Sequence, residues 1–139
     1  LCMLMALPPG PALAAERLAA SDGEKLSILK SVQSMHRGGY SDAGPDIKVF
    51  EIGGGDPAMN GAFIYLCIEH NEKSYVWETK LNVRNIYKIT YAKGNRIVLA
   101  VHEDYFGKNN KIASRSSTYQ LQFFIDKDVL QDTLTLEKK

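Results

Sequence analysis

Histidines and serines are the side chains of this chain that could carry out nucleophilic chemistry. His102 and Asp104 stand two residues apart, so in a strand they would share one face, where the carboxylate could orient the imidazole as a general base. The serines that could then act as the nucleophile are Ser114, Ser116 and Ser117. A hydrolase using His102 stays open as an alternative, but we assign no catalytic residue, because triads are recognised by geometry and not by order along the chain.

Metal and cofactor chemistry has no signature in the sequence. His36, His70 and His102 lie in separate segments, and no H-x-H, H-E-x-x-H or C-x-x-C spacing indicates a metal site. We therefore expect no metal and no cofactor.

A glycine-rich loop, residues 53–61, is the most unusual stretch of the chain. Its glycines allow positive φ, and consecutive amides in such a loop can form a nest that binds an anion. The loop lacks the Gly-Lys-Ser/Thr ending of a Walker loop and does not fit G-x-G-x-x-G. We favour a wide hairpin connection with turns at Asp56-Pro57 and Asn60-Gly61. Its residues that could contact a partner are Asp56, Met59 and Asn60.

A second loop, residues 106–117, is long, polar and basic, and long loops in compact domains are often functional. Ser114, Arg115 and Tyr119 resemble the S-G-R-x-x-x-Y stretch of the periplasmic lysozyme inhibitors, although the glycine of that stretch is absent here. Members of that family insert such a loop into the active site of the enzyme. The resemblance implies an inhibitor-like role, but three matching letters do not make the chain a member of the family.

Tyr75, Trp77 and Thr79 alternate along a predicted strand and so share one of its faces. If that face is the core, as is usual for Trp and Tyr, they are packing residues. If it is exposed, Trp77 belongs to an aromatic platform for a sugar or a protein, because large aromatic side chains dominate binding hot spots.

The segment before residue 40 has the signature of a helix. Ser21, followed three residues later by Glu24, fits a capping box, and Gly38-Gly39 would end the helix. An apolar stripe at helical spacing lies between them and consists of Ile28, Leu29, Val32 and Met35. We therefore predict one N-terminal helix, with His36 at the border of its apolar face.

From residue 46 onward the apolar period changes to two, which is typical of strands. The predicted strands are 47–52, 62–69, 74–80, 86–92, 96–103 and 118–126, with 133–137 as a short closing strand. Lys93-Gly94-Asn95 is a turn signal and predicts a hairpin. No helical period recurs between the strands, which argues against a parallel doubly wound fold. The predicted fold class is α+β, with one N-terminal helix packed on an antiparallel, curled sheet of six or seven short strands.

The first residues have the pattern of an export signal. Residues 1–7 are apolar, prolines follow, and Ala12-Leu13-Ala14 precedes Ala15 in the manner of a cleavage site. The basic n-region is missing, so we interpret residues 1–14 as a truncated signal peptide. Residues 15–139 are then a single domain, periplasmic or secreted.

Cys67 would be the only cysteine of the chain after cleavage, so no disulfide could form within it. The segment around Cys67 is apolar at every position, which favours a strand buried on both faces. A buried free cysteine behaves as a small hydrophobe, so we interpret it as structural.

The charge of the chain is nearly balanced, with 17 Lys and Arg against 16 Asp and Glu. Phosphate binding needs clustered Lys and Arg, so this balance argues against nucleic acid as a partner. It argues equally against anchoring to an anionic membrane.

The sequence leads to the hypothesis of an exported, non-enzymatic binding domain that recognises another protein through loops 53–61 and 106–117, with an inhibitor-like role as one version. The candidate contact residues are Asp56, Met59, Asn60, Ser114, Arg115, Tyr119 and Trp77. A carrier of a small apolar ligand is the alternative to protein recognition, and curled antiparallel sheets do enclose such ligands. Its cavity would be lined by Tyr87, Tyr91, Tyr119 and Phe123.

Overall fold

In the computed structural model, which describes residues 28–39, 44–56 and 58–139, the chain forms two four-stranded antiparallel sheets. Sheet I consists of β1 (Val32–Gly38), β2 (Asp46–Gly53), β3 (Ala62–His70) and β4 (Lys73–Val83). Sheet II consists of β5 (Asn85–Ala92), β6 (Arg96–Phe106), β7 (Ile112–Asp126) and β8 (Val129–Lys138). Each strand pairs with the next one along the chain within its sheet. Two short 3-10 segments, Ile28–Ser31 and Lys108–Asn110, complete the described elements.

The predicted N-terminal helix is wrong, and with it the α+β class. The single sheet of six or seven strands is wrong too, because the described strands form two four-stranded sheets. The described part of the chain is nearly all β and has no helix of seven or more residues. Residues 32–38, expected to be helical, instead pair with β2 over residues 47–52. Met35 is 47% exposed, so the apolar stripe does not lie on one buried face. The helical prediction rested on the spacing of four apolar residues. Pairing with β2 gives this segment a ladder of backbone hydrogen bonds, and that stabilisation decides its structure.

The proposed helix start at Ser21 and the proposed signal peptide, residues 1–14, lie outside the described residues.

From residue 46 onward the antiparallel prediction is confirmed, because each predicted strand lies inside an observed one. The turn at Lys93-Gly94-Asn95 joins β5 to β6, with Gly94 at a φ of +84° and Asn95 at +59°. Both values are in the left-handed region that glycine and asparagine tolerate best.

The core lies where the inward faces of the two sheets meet. Alternate residues of the central strands are at most 1% exposed, among them Ile64, Leu66, Leu99 and Leu121. Burying an aliphatic side chain of this size contributes about 1.5–3 kcal/mol, so this layer supplies most of the driving force. The outward face of β3 is only half-buried. Cys67 lies on that face, where burial raises the pKa of its thiol.

The chain passes from sheet I to sheet II at Arg84, a single residue between β4 and β5. The Arg84 amide donates to the carbonyl of His102 at 2.8 Å, so the crossing is fixed on β6. This crossing brings the end of β4 to the same region as the β6–β7 hairpin, and the candidate site is built there.

Candidate functional site

The first loop selected from the sequence and the tip of the β6–β7 hairpin lie side by side at one end of the molecule. The second predicted loop, residues 106–117, is wrong over residues 112–117, which pair with β6 as the start of β7. Asn60, at a φ of +54°, uses both ends of its side-chain amide to hold the backbone of Asp104. Its Nδ2 donates to the Asp104 carbonyl at 2.8 Å, and its Oδ1 accepts from the Asp104 amide at 2.7 Å. The clamp fixes the first loop on β6, although the two residues are far apart in sequence.

The first loop is held by its own hydrogen bonds. The Asp56 carboxylate accepts from the Ala58 amide at 2.9 Å, and the Asp56 carbonyl accepts from the Met59 amide at 3.0 Å. The Gly54 amide donates to the Gly61 carbonyl at 3.1 Å. These amides have internal acceptors, so the geometry favours the hairpin connection over an anion-binding nest.

A polar cavity of about 390 Å³ opens between the two loops. Its lining includes Gln33, Asn60, Arg84, Asp104, Ile112 and Ser114. Ser114 donates to the Asp104 carboxylate at 2.5 Å, and the Asp104 side chain is only 9% exposed. The Arg84 guanidinium lies 3.9 Å from the same carboxylate and is 63% exposed. Arg84 therefore has donors that face solvent over the cavity.

Two exposed apolar side chains flank the polar tip of the β6–β7 hairpin. Phe106 and Ile112 pair directly across the ladder, and they are 65% and 51% exposed. The intervening loop is closed by the Gly107 amide, which donates to the Lys111 carbonyl at 2.8 Å, and exposes Lys108 and Lys111. We call this surface the hairpin end; it comprises residues 58–61, Arg84 and residues 104–114.

Sequence reasoning included Phe106 and Ile112 in a loop but did not single them out. An apolar residue on each side of a polar hairpin tip is the signal that could have identified them. Of the predicted contact residues, Asn60 and Ser114 line the cavity, and Asp56 and Met59 stand in the neighbouring loop.

Arg115 and Tyr119 belong to a separate cluster around Glu103. The Tyr119 hydroxyl donates to Glu103 at 2.8 Å, and the Arg115 guanidinium lies 3.7 Å from the same carboxylate and over the ring of Tyr105. Burial alone would raise the pKa of Glu103, but hydrogen bonds from Ser117 and Tyr119 and the Lys138 ammonium hold it below its ordinary value. The cluster gives both residues internal partners.

We expect the Tyr119 hydroxyl to titrate late. Burial, together with the hydrogen bond and negative charge of Glu103, raises the pKa of Tyr119 to about 12. In a Glu103→Gln variant it should fall toward the ordinary value of 10 yet stay above it, because the burial persists. Carbon NMR of the tyrosine Cζ atoms measures this, with Glu137→Gln as the control. An unchanged Tyr119 titration in Glu103→Gln would contradict the assignment.

Trp77 is held against the core. It is half-buried beside Tyr75, with ring centroids 5.8 Å apart, and its indole donates to the Asp132 carbonyl at 3.0 Å. These contacts favour packing over an exposed aromatic platform.

His102 and Asp104 do not form a catalytic pair. His102 Nδ1 lies 3.1 Å from the Asn85 side-chain oxygen, and its ring stacks on Tyr87 at 4.4 Å. Asp104 instead accepts from Ser114. A general base needs its orienting carboxylate within hydrogen-bond reach, so this arrangement does not support the hydrolase alternative.

A further polar cluster joins β1, β2 and β5 through Glu51, which is only 6% exposed. Ser34 donates to its Oε2, His36 Nε2 lies 3.0 Å from the same oxygen, and the Ile86 amide donates to Oε1 at 2.8 Å. Burial would raise the pKa of Glu51, but hydrogen bonds from Ser34, His36 and Ile86 lower it.

The Glu51 cluster has the residue types of a hydrolytic triad but not its order. In a triad the imidazole lies between the serine and the carboxylate and uses a different nitrogen for each. Here one nitrogen of His36 faces both groups, and Glu51 binds Ser34 directly. The cluster is therefore a clasp between strands, and we call it the Glu51 clasp. The sequence does carry a signal for this cluster. Glu51 is a charged residue at the next alternate position after Ile47 and Val49, so it falls on the inward face of β2.

The four aromatic residues proposed for a ligand cavity are divided among three places. Tyr87 and Tyr91 line a cavity beside β5. Phe123 is 1% exposed in the core, and Tyr119 binds Glu103. The cavity proposed from the sequence therefore does not have this lining.

Within residues 28–39, 44–56 and 58–139, no three His, Cys, Asp or Glu side chains are placed to hold a metal ion. A search of the same ranges for a helix long and apolar enough to cross a membrane finds none. Comparisons of the chain with family models, with curated proteins and with solved structures find no match.

Proposed function

We propose that this chain is an exported, non-enzymatic binding domain that recognises another protein through the hairpin end. The observation that carries the proposal is the exposed pair Phe106 and Ile112, adjacent to a polar cavity. Protein interfaces typically have an aromatic or aliphatic anchor at the centre and a rim of hydrogen-bonded polar groups, and the hairpin end has both kinds of side chain.

The charges of the hairpin end indicate the chemistry of the partner. Arg84, Lys108 and Lys111 are exposed there, whereas Asp104 is nearly buried and bound to Ser114. Asp56, in the adjoining loop, is the exposed carboxylate nearest in sequence to the clamp at Asn60. A surface with this excess of cations complements an acidic one, so we expect a partner with an acidic groove or patch. An acidic enzyme cleft, as in the inhibitor-like version, is one such surface.

Affinity capture from an extract of exported proteins tests the proposal. The wild-type chain should retain a specific partner, and a Phe106→Ser, Ile112→Ser double variant should bind that partner at least about thirtyfold more weakly, since anchors typically contribute 2 kcal/mol or more. A Val129→Ser, Leu136→Ser variant is the matched control, because it removes two similarly exposed apolar side chains from β8. It should bind like the wild type.

Two results would overturn the proposal. One is a folded, monodisperse chain that retains no partner from several such extracts and inhibits no lysozyme. The other is equal retention of the partner by the Phe106→Ser, Ile112→Ser variant and by the wild type. Inhibition of a purified lysozyme by the wild type, lost in the Phe106→Ser, Ile112→Ser variant, would support the inhibitor-like version.

A further inference from the structure

A second cavity lies at the seam between the two sheets, where the edge strands β1 and β5 face each other. No ladder joins these strands in the described part of the chain. The Glu51 clasp, which binds the Ile86 amide, connects them at one place, and the Tyr91 ring lies on Gly38 at another. A Cβ on Gly38 would stand 2.6 Å from the Tyr91 ring, so any larger residue there would displace the ring. We call the space of about 330 Å³ beside these contacts the seam cavity.

The seam cavity has cations and no carboxylate in its lining. The lining residues are His36, Arg37, Ile86, Tyr87, Lys88, Ile89 and Tyr91. Arg37 is paired with Asp46 at 2.8 Å, and His36 with Glu51. The Lys88 ammonium is exposed and makes no ion pair with any residue that the structure describes. One uncompensated positive charge therefore stands at the rim.

The walls of the seam cavity suit a flat ring. A β-bulge between Ile86 and Lys88 places one extra residue, Tyr87, in β5, and bulges often redirect side chains next to binding sites. Tyr87 is held by stacking on His102 at 4.4 Å. Tyr91 offers a hydroxyl that can donate a hydrogen bond, and burial raises the pKa of that hydroxyl above its ordinary value. Aromatic and aliphatic walls with a few convergent polar groups are typical of small-ligand sites.

We propose that the seam cavity binds a small aromatic carboxylate, whose ring lies against Tyr87 and Tyr91 and whose carboxylate meets Lys88 beside the Arg37 guanidinium. A volume at the lower end of the range for ligand pockets fits a molecule of one or two rings. The site is separate from the hairpin end and does not depend on the function proposed for it.

Titration of the full chain with benzoate, followed by amide NMR, tests this proposal. Benzoate should bind saturably and shift the amides of residues 36–38 and 86–91. Benzamide has nearly the same shape but no charge, and it should bind at least about tenfold more weakly, as expected when a charged hydrogen bond is lost. A Lys88→Met variant should weaken benzoate binding similarly, whereas Lys73→Met, at the exposed start of β4, should not.

Lys88 is exposed, so we expect the Lys88→Met variant to fold like the wild type. Equal binding of benzoate and benzamide would overturn the proposal, as would shifts that map outside the seam. An absence of saturable benzoate binding to the wild-type chain would also overturn it. Loss of benzoate binding in Lys73→Met to the same extent as in Lys88→Met would show a nonspecific charge effect and would overturn it too.

Discussion

A Phe123→Ala variant should lose about 3–5 kcal/mol of folding free energy, the usual cost of emptying a buried phenylalanine site. Phe123 is 1% exposed and lies in the cluster where the two sheets meet. That cluster draws its side chains from both sheets, so we expect the cavity left by the ring to close only by moving a strand. Urea denaturation followed by circular dichroism measures the change.

Phe124 supplies the matched control at the next position of the same strand. It points to the other face of β7 and is 37% exposed. Phe124→Ala should therefore cost far less, on the order of 1 kcal/mol or below. Similar losses for the two variants would show that the inward face of β7 has been assigned incorrectly.

Loss of the Glu51 carboxylate should be nearly as costly. In Glu51→Ala the buried Ile86 amide loses its acceptor, and Ser34 and His36 lose their shared partner. Leaving buried polar groups unpaired costs about 1–3 kcal/mol each, so we expect a loss of roughly 3 kcal/mol in thermal or urea unfolding. Glu78→Ala, on the exposed face of β4, should change stability by less than about 0.5 kcal/mol.

The same carboxylate should make stability depend on pH. The pKa of Glu51 in the folded chain is lowered from its ordinary 4.5. The carboxylate therefore contributes its full share of the folding free energy above pH 4.5, and this share is lost as the pH falls through the lower pKa of the folded state. Glu51→Gln keeps an acceptor for Ile86 but cannot titrate. Between about pH 7 and about pH 3 its stability should fall less than that of the wild type. Parallel pH profiles for the two proteins would contradict the Glu51 clasp.

The strands after residue 46 were predictable because one face of each packs against the other sheet. In β7, Leu121 and Phe123 alternate with Gln120 and Gln122, and this alternation alone places the two apolar side chains inward. Turns were predictable where a positive φ requires particular residues, as at Gly94.

The first strand could not be predicted in this way. β1 is an edge strand with only half-buried inward positions, among them Val32, Ser34 and His36. Ser34 and His36 point inward and bind Glu51 of β2, and no pattern within β1 indicates this partner. The few apolar residues that remain also fit a helical spacing, so pairing with β2 decided the structure.

The candidate site was predictable as two segments of chain but not as one surface, and most of the second segment is strand and not loop. Asn60 and Asp104 are 44 positions apart, and only the crossing at Arg84 and the packing of the sheets bring them together. The apolar pair Phe106 and Ile112 becomes a feature when the β6–β7 ladder sets them opposite each other. Register between distant strands therefore carried the information that the sequence pattern lacked.

Hydrogen–deuterium exchange of the chain with and without its captured partner tests binding at the hairpin end most directly. If the hairpin end is the interface, amides of residues 58–61 and 104–114 should become protected in the complex, while those of the β3–β4 and β7–β8 turns exchange as in the free chain. Protection confined to those turns or to the outer face of sheet I, with residues 104–114 unchanged, would contradict it.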